Sequence, residues 1–256
     1  SKRPATKLCG KTGTAYSTKK TKRMQYTERY ARQIMLPEIG LSGQQALARA
    51  SVLIVGAGGL GSPISLYLCT AGIGRIGLID GDTVSESNLQ RQILYTENET
   101  GRNKVECAKQ TLSSRNESCR IDIYPHFLTE ENAREIIEPY DIIVDGCDNY
   151  ATRYLIDDWC SRLQKPYVYG SIEGFKGQVS IFNGKKGKRY VDLFPDRSTL
   201  TARPKASAGV IGPTPGVIGN IEAAEVIKLI TGCGTPLYNR LFTIDLLTLE
   251  SFTLDI

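Results

Sequence analysis

The feature that most constrains the fold is an apolar strand that runs directly into a glycine-rich turn. Residues 52–55 read Val-Leu-Ile-Val and lead into Gly56, Gly58 and Gly61, in the pattern Gly-x-Gly-x-x-Gly. Asp80 closes the next apolar strand, nineteen residues after Gly61. Glycines at this spacing let the backbone turn tightly and approach a phosphate, and the following helix offers free N–H groups and a positive dipole end. The pattern predicts a βαβ unit that binds an adenine nucleotide, with Asp80 accepting from the ribose hydroxyls.

Strand and helix signals alternate along the rest of the chain. Predicted strands and helices follow one another, with strands at 51–55, 76–79, 120–124, 141–145 and 167–170 and helices at 62–71, 104–116, 129–138 and 151–163. This alternation predicts an α/β fold with a doubly wound, mostly parallel, Rossmann-like sheet. The last part predicts an antiparallel C-terminal extension, with strands at 177–182, 241–245 and 248–254 and a helix at 215–231.

The charge of the chain is unevenly distributed. Residues 1–24 contain eight basic residues and no acidic one, and removing these eight charges from the net +5 leaves −3 for the rest. A basic segment rich in Thr and Ser, without helical or strand periodicity, is typical of a disordered tail. We therefore predict a tail at 1–24 and a single domain at 25–256. The mildly acidic domain argues against a nucleic-acid partner, and no apolar run approaches the roughly 18 to 20 residues that span a membrane.

Residues 183–208 are dominated by Lys, Arg, Gly, Pro, Ser and Thr. A structureless stretch of this length inside a compact domain is usually functional or disordered. We expect a mobile crossover flap at 183–208.

The seven cysteines and the single histidine do not suggest a zinc site or a nucleophilic pair. No Cys-x-x-Cys pair occurs, and Cys69 and Cys160 lie in apolar runs, as is typical of buried reduced thiols. This usage favours a reducing, cytoplasmic location. His126 follows Tyr-Pro in a strand-like run, and we interpret it as a packed or surface residue.

Polar side chains follow the predicted strands at the edge where doubly wound sheets bind ligands. Asp80 opens a polar run that extends past Arg91 and is too charged for a core and too long for a simple turn. Gln90 and Arg91, with Lys104 at the start of the next helix, supply hydrogen-bond donors and positive charge. We expect these groups near the phosphates of the nucleotide.

Asp148 and Asn149 follow the buried strand at 141–145. Mg²⁺ prefers one or two carboxylates together with phosphate oxygens, so Asp148 is a candidate metal ligand. Its alternative role is to cap the helix at 151–163, which Asn149 could do instead. A phosphate pocket beside a metal carboxylate favours nucleotidyl transfer over hydride transfer. If the nucleophile is a substrate carboxylate, it is already ionised at neutral pH, and the protein needs no general base.

Seven motifs together make the sequence resemble the ThiF/MoeB/HesA family, relatives of the ubiquitin-activating enzyme, over nearly all of residues 26–250. The motifs are Arg29-Tyr-x-Arg32-Gln33-Ile34, Gly56-x-Gly58-Gly59-x-Gly61, Asp80-x-Asp82-x-Val84, Ser87-Asn88-Leu89-Gln90-Arg91-Gln92, Gly101-x-x-Lys104, Asp145-x-x-Asp148-Asn149, and Pro215-Gly216-Val217-x-Gly219 followed by Glu222-Ala-x-Glu225-x-x-Lys228. Together they are far more specific than the glycine loop alone.

The resemblance implies that ATP and Mg²⁺ are used to adenylate the C-terminal glycine carboxylate of a small ubiquitin-like sulfur carrier protein ending in Gly-Gly. Pyrophosphate is then released, in thiamine (thiazole) biosynthesis or, slightly behind it, molybdopterin biosynthesis. The resemblance also implies a homodimer, in which Arg32 reaches the phosphates of the neighbouring subunit, and a carrier tail that threads under the flap at 183–208. The predicted catalytic residues are Arg32, Arg91, Lys104 and Asp148, the last as the metal ligand. The predicted nucleotide-binding residues are Gly56, Gly58, Gly59, Gly61, Asp80, Ser87, Asn88, Gln90, Arg91, Lys104 and Asn149.

The chain departs from the family pattern at its cysteines. Of the two Cys-x-x-Cys pairs that hold zinc in family members, the first would fall at Arg189 and Asp192 and the second beyond Ile256, so we expect no zinc. A loop cysteine that bonds to the activated carrier in ThiF-type enzymes would fall near Lys205. Its absence favours adenylation alone over a covalent step at this loop.

Two other functions compete with adenylation. An NAD(P)-dependent oxidoreductase would account for the glycine loop and Asp80, but it leaves Arg91, Lys104 and Asp148 unexplained. A non-catalytic relative that kept the nucleotide pocket is suggested by the missing cysteines, although the intact set of ATP-binding residues argues against it.

Overall fold

The structure, a computed structural model, describes residues 28–184, 187–202 and 209–256. The tail predicted at 1–24 lies outside these residues. Within the described ranges, no helix combines the length and the apolar character that crossing a membrane requires.

An eight-stranded sheet runs through the described part of the chain, in the order β3-β2-β1-β4-β5-β6-β7-β8. Its strands are β1 (Ser51–Val55), β2 (Arg75–Ile79), β3 (Arg120–Tyr124), β4 (Ile142–Asp145), β5 (Pro166–Glu173), β6 (Lys176–Asn183), β7 (Arg240–Asp245) and β8 (Glu250–Asp255). Neighbouring strands are parallel from β3 through β5 and antiparallel from β5 through β8. This arrangement confirms the predicted doubly wound sheet with an antiparallel C-terminal extension.

Helices cover both faces of the sheet. They are α1 (Ala31–Ile34), α2 (Gly40–Arg49), α3 (Gly61–Ala71), α4 (Lys104–Arg115), α5 (Ala133–Ile137), α6 (Tyr150–Arg162), α7 (Tyr190–Leu193), α8 (Arg197–Ala202) and α9 (Pro213–Thr231). Successive residues of β1 point to opposite faces, so Val52 and Ile54 join the core beneath α2, α3, α4 and α9, whereas Leu53 and Val55 join the core beneath α5, α6 and α7. Burial on both faces explains why β1 is apolar throughout.

The direction of winding reverses at β1. The chain passes from β1 to β2 and β3 on one side and then crosses to β4 on the other side of β1. In sheets of this kind, the crevice beyond the carboxyl ends of the strands on either side of the reversal is where ligands bind. The topology therefore predicts a ligand site at the segments that follow β1 and β4.

Most of residues 190–202 are helical, so this part of the predicted flap is not structureless. They form α7 and α8, and Tyr190 is fully buried. The Asp157 carboxylate on α6 accepts from the Tyr190 N–H at 2.8 Å and from the Arg189 guanidinium at 2.8 Å. These contacts join residues more than thirty positions apart, so local composition could not reveal them. Residues 185–186 and 203–208 lie outside the described part, and the mobility of the flap stays a prediction.

Glu222 on α9 is a buried carboxyl group inside the core. Its side chain is fully buried against Gly170 of β5, and neither carboxyl oxygen has a hydrogen-bond partner among the described residues. Burial, and secondarily the nearby Asp145 carboxylate, raise the pKa of Glu222 well above its usual range. Glu222 is therefore held in its neutral form.

We expect Glu222→Gln to stabilise the protein at alkaline pH. A carboxyl group whose pKa is raised by folding binds more protons in the folded than in the unfolded state, so the free energy of unfolding falls as the pH rises above about 4.3. Glutamine removes this loss, and the variant should be more stable at pH 8 by at least about 1.4 kcal/mol, the value of one pKa unit. Urea unfolding at pH 5 and pH 8, at one protein concentration, measures the difference.

Glu225 provides the matched control on the same helix. Its carboxylate accepts from the Leu237 N–H at 2.9 Å and pairs with Lys228, so Glu225→Gln should destabilise the protein. If the stabilities of the wild type and Glu222→Gln changed in parallel between the two pH values, Glu222 would titrate normally and the account of its burial would be wrong.

Candidate active site

The glycine loop connects the end of β1 to the start of α3. Gly56 has φ +98°, a backbone conformation that other residues rarely adopt. Gly61 is required for a different reason, because a Cβ there would overlap the Gly56 carbonyl oxygen. The loop therefore folds back on itself as its spacing predicts, and α3 begins at Gly61 with its first N–H groups at this edge of the sheet.

A direct backbone contact joins this loop to the segment after β4. A Cβ on Gly56 would overlap the Gly146 carbonyl group, and a Cβ on Gly146 would overlap the Gly56 carbonyl oxygen. The Gly146 N–H also donates to the Val55 carbonyl oxygen at 2.8 Å. The two segments that the topology singles out are thus in van der Waals contact, and Asp148 lies two residues beyond it.

Asp80 fastens the glycine loop to the segment that follows β2. Its side chain is largely buried, one carboxylate oxygen accepts from the Ala57 N–H at 2.8 Å, and the other accepts from the Asp82 N–H at 2.8 Å. Each carboxylate oxygen can accept a further hydrogen bond, so Asp80 can still accept from ribose hydroxyls, as the sequence predicts. Asp80 therefore also has a structural role, that of an acid capping the loop, which is the alternative interpretation of an aspartate at this position.

Two buried polar residues support the loop and were missed by the residue-level reading of the sequence. The Tyr95 hydroxyl donates to the Ala57 carbonyl oxygen at 2.6 Å, and burial, with Asp80 as a smaller cause, raises the pKa of Tyr95. Gln92 is buried behind Gly58, and its Oε1 has no hydrogen-bond partner among the described residues. Their position next to a polar run was the only available signal, since nothing local says that they turn inward.

The polar run after Asp80 passes over the glycine loop. It contains a short 3₁₀ helix at Glu86–Asn88, and the Arg91 guanidinium donates to the Ser87 carbonyl oxygen at 3.1 Å. The Asn88 amide lies within 3.5 Å of the Ser87 hydroxyl. Gly59 faces both the Arg91 side chain and Pro215 at the start of α9. The structure therefore brings Arg91 to the glycine loop and places Ser87 and Asn88 next to Arg91, while the exposed Gln90 contributes its carbonyl group to a close contact with Gly212.

Lys104 brings a buried positive charge to the same edge. It begins α4, where the Asn103 side chain caps the helix by accepting from the N–H groups of residues 105 and 106. The Lys104 side chain is only 5% exposed, and its ammonium group lies 3.0 Å from the Asp82 carboxylate, which is 55% exposed. A lysine this buried normally has a fixed partner. Asp82 holds its ammonium group, and the Asp82 N–H in turn donates to Asp80, which binds the glycine loop.

Asp148 and Asn149 take different roles. Asn149 caps α6, because its side-chain oxygen accepts from the Thr152 N–H at 2.9 Å, and its amide lies within 3.4 Å of Asp148. Asp148 itself is exposed beyond the Gly56–Gly146 contact. No group of three or more His, Cys, Asp or Glu side chains that could enclose a metal occurs among the described residues. One exposed carboxylate beside a glycine-rich loop of this kind fits Mg²⁺ that arrives with a nucleotide.

A buried ion pair supports the Asp148 segment from below. The Asp145 carboxylate accepts from Arg153 at 3.0 Å, from the Tyr167 hydroxyl at 2.9 Å and from the Cys147 thiol at 2.8 Å. Arg153 also donates to the Cys147 carbonyl oxygen at 3.2 Å. Burial, reinforced by Asp145, raises the pKa of the Cys147 thiol well above its usual value, which disfavours the nucleophilic thiolate form.

Arg32 is the predicted site residue that lies elsewhere. It is exposed on α1, and the neighbouring Gln33 side chain donates to the Ala71 carbonyl oxygen at 3.0 Å, at the end of α3. Because α3 starts at the glycine loop and is eleven residues long, about 16 Å of helix separates these two ends. Of the other predicted side chains, Asp80 and Arg91 lie directly against the glycine loop. His126 is exposed, and Cys69 and Cys160 are buried free thiols, as predicted.

Comparison with known proteins agrees with this geometry. The chain matches the model of the ThiF family over residues 30–256. It is 46% identical over 226 residues to the sulfur carrier protein adenylyltransferase of Thermus thermophilus, covering 86% of this chain and 83% of that protein. It is 47% identical to the probable molybdopterin-synthase adenylyltransferase of Porphyra purpurea and to the adenylyltransferase and sulfurtransferase MOCS3 of Dictyostelium discoideum. The first of these matches covers 81% of this chain and only 55% of the Porphyra purpurea protein. The second covers 80% of this chain and only 48% of the Dictyostelium discoideum protein.

Solved structures show the same fold. Escherichia coli MccB with succinimide superposes with a TM-score of 0.76 at 26% identity, covering 89% of this chain and 71% of that one. MccB with ATP superposes with a TM-score of 0.73 at 26% identity, covering 83% of this chain and 65% of that one. The predicted enzyme class is confirmed, because the relatives are adenylyltransferases by name. Because the family model matches nearly the whole described chain and the geometry of the site agrees with it, the chain belongs to the ThiF family.

Proposed function

We propose that this protein adenylates the C-terminal glycine carboxylate of a small ubiquitin-like sulfur carrier protein, using ATP and releasing pyrophosphate. The observation that carries the proposal is the convergence of the glycine loop, Arg91, Lys104 and Asp148 at the edge where β1 and β4 end. This set of groups suits a nucleoside triphosphate with its metal ion, because it combines backbone N–H groups, two cationic side chains and an exposed carboxylate.

The reaction needs charge neutralisation more than proton transfer. A carboxylate oxygen of the carrier forms a bond to the α-phosphorus of ATP, and the bond from that phosphorus to the bridging oxygen breaks, so that pyrophosphate leaves with the electron pair. Arg91 and Lys104 offset the charge that develops on the phosphates. The nucleophile is ionised at neutral pH, so no base is required. This agrees with the raised pKa of the Cys147 thiol, which disfavours a nucleophilic thiolate beside Asp148.

Asp148 is the residue that would hold Mg²⁺. Bound there, the ion would supply positive charge that offsets the negative charge of the phosphates. The Gly56–Gly146 contact fixes the distance between Asp148 and the glycine loop, so the position of this carboxylate relative to the phosphates is set by backbone packing.

The carrier is inferred from the relatives. The Thermus thermophilus protein is named for a sulfur carrier protein, and the Porphyra purpurea protein for molybdopterin synthase. We assign the carrier to this class, a small protein with a ubiquitin-like fold and a Gly-Gly end. The thiazole and molybdopterin pathways both stay open to it. Family membership displaces the oxidoreductase hypothesis, and carrier-dependent exchange of pyrophosphate into ATP would exclude a non-catalytic relative.

The proposed function includes a homodimer. Arg32 lies at the end of α3 remote from the glycine loop of its own subunit, so it can serve a phosphate site only if it reaches the site of a second copy. A two-fold symmetric dimer would supply Arg32 to both sites in the same way.

Asp148→Ala should abolish carrier-dependent pyrophosphate–ATP exchange while leaving the fold and the dimer intact. The side chain is exposed and follows β4 without entering the core, so its loss removes the metal carboxylate and little packing. Exchange measured with a carrier ending in Gly-Gly tests this, with Asp255→Ala on the edge strand β8 as the matched control for loss of an exposed acid. Unchanged exchange in Asp148→Ala would remove this residue from the mechanism.

Gly146→Ala should lower exchange at least about tenfold, because a methyl group there must push the glycine loop and the Asp148 segment apart. Gly146 does not have a positive φ, so the effect would come from the close approach and not from backbone strain. Gly216→Ala is the control, since nothing lies within 4 Å of a Cβ at this nearby position on α9. Equal exchange in both variants would show that the contact between the two loops is dispensable.

Heterodimers test whether Arg32 acts across the subunit interface. Arg32→Ala and Asp148→Ala should each be inactive, but a dimer with one copy of each variant should have one complete site and about half the wild-type activity. Two differently tagged chains, co-expressed and purified through both tags, provide this dimer.

The reciprocal heterodimer is the control. Wild type paired with the Arg32→Ala, Asp148→Ala double variant should be inactive if Arg32 acts in trans. Activity in this dimer, together with none in the first, would show that Arg32 serves its own subunit and would contradict the proposal.

A further inference from the structure

Phe127 is an exposed aromatic residue at the edge of the sheet where the nucleotide site lies. Its side chain is 60% exposed, although it comes only three residues after β3 and precedes the buried Leu128. A large apolar side chain exposed to this degree contributes little to folding. Single exposed apolar residues are ordinary, so the reason to consider a binding role for Phe127 is its position beside the proposed nucleotide site.

The Phe127 ring packs on the segment that carries Asp80. A Cβ at Gly81 would lie 2.8 Å from two ring carbons of Phe127, so the ring rests on the Gly81 backbone, and only a glycine leaves room for it. Gly81 directly follows Asp80, whose backbone N–H donates to the Tyr124 carbonyl oxygen at 3.2 Å. The ring is thus placed immediately next to the residue expected to contact the ribose.

The backbone around Phe127 is fixed by hydrogen bonds. The Asn132 amide donates to the Phe127 carbonyl oxygen at 2.9 Å, and the Asn132 side-chain oxygen accepts from the Thr129 N–H at 2.8 Å. Leu128, at 8% exposure, anchors the same turn in the core beneath α5. The ring is held in place from below while much of its surface faces solvent.

We propose that Phe127 is a base-binding residue, whose ring stacks on the base of the nucleotide while Asp80 holds the ribose. This inference rests on the proposed function, because it assumes that the nucleotide phosphates lie at the glycine loop. With the phosphates there and the ribose at Asp80, the base is directed outward over Gly81, where the Phe127 ring lies. Stacking of an aromatic ring on any base stabilises the complex, and a purine, which has the larger surface, gives the greatest stabilisation.

Equilibrium binding of ATP with Mg²⁺, without carrier, tests the proposal. Phe127→Ala should raise the Kd for ATP about tenfold, the effect expected from the loss of one stacking contact. Phe127→Tyr keeps the ring and should stay within about twofold of the wild type. Inorganic tripolyphosphate, which has no base, should bind the wild type and Phe127→Ala equally. In the exchange reaction, KM for ATP should rise in Phe127→Ala, with kcat unchanged.

Phe252→Ala supplies the matched control. Phe252 is 53% exposed on β8, at the opposite edge of the sheet from β3, and its loss should leave the Kd for ATP unchanged. Equal ATP affinity in Phe127→Ala and the wild type would overturn the stacking proposal and leave the proposed function standing. Equal weakening of ATP and tripolyphosphate would also overturn it, because Phe127 would then be structural. Failure of the wild type to bind either ligand would overturn both this inference and the proposed function.

Discussion

The backbones of Gly56 and Gly146 touch where β1 and β4 end, and the site is arranged around this contact. The sheet reverses its winding between these two strands, so their carboxyl ends open into one crevice. A side chain at either position would separate the loop suited to phosphate from the segment that carries Asp148. The contact thus brings two motifs that are distant in the sequence into one site, and it requires that neither position has a side chain.

The polar groups around this contact are held in place by hydrogen bonds to the backbone and by one ion pair. Asp80 accepts from two backbone N–H groups, Tyr95 donates to the loop backbone, and Asp82 fixes the buried Lys104 ammonium group. A site so arranged presents donors and cations that need little reorganisation when charge develops on a phosphate. The raised pKa of the Cys147 thiol beside the site suits the proposed reaction, whose nucleophile arrives already ionised.

Much of the fold could be predicted because local signals and tertiary packing agreed. The strands β1 to β4 begin and end within about a residue of their predicted bounds, since each is an apolar run ended by polar or glycine residues. Agreement was poorer where long-range contacts decide the structure. The helix expected at 129–138 is restricted to Ala133–Ile137, because Asn132 instead closes a turn that holds Phe127. Residues 190–202 form helices through ion pairs with α6, which composition cannot show.

The sequence by itself determined the doubly wound class, the glycine loop and the identity of the charged residues around it, because these depend on periodicity and on residue types at short spacing. Only the tertiary structure decided that Asn149 caps α6 while Asp148 is exposed, that Tyr95 and Gln92 support the loop, and that Arg32 lies far from the glycine loop of its own subunit. Those facts depend on which segments meet across the sheet. Contacts between residues remote in the chain are set by the packing of the whole core, and no local pattern encodes them.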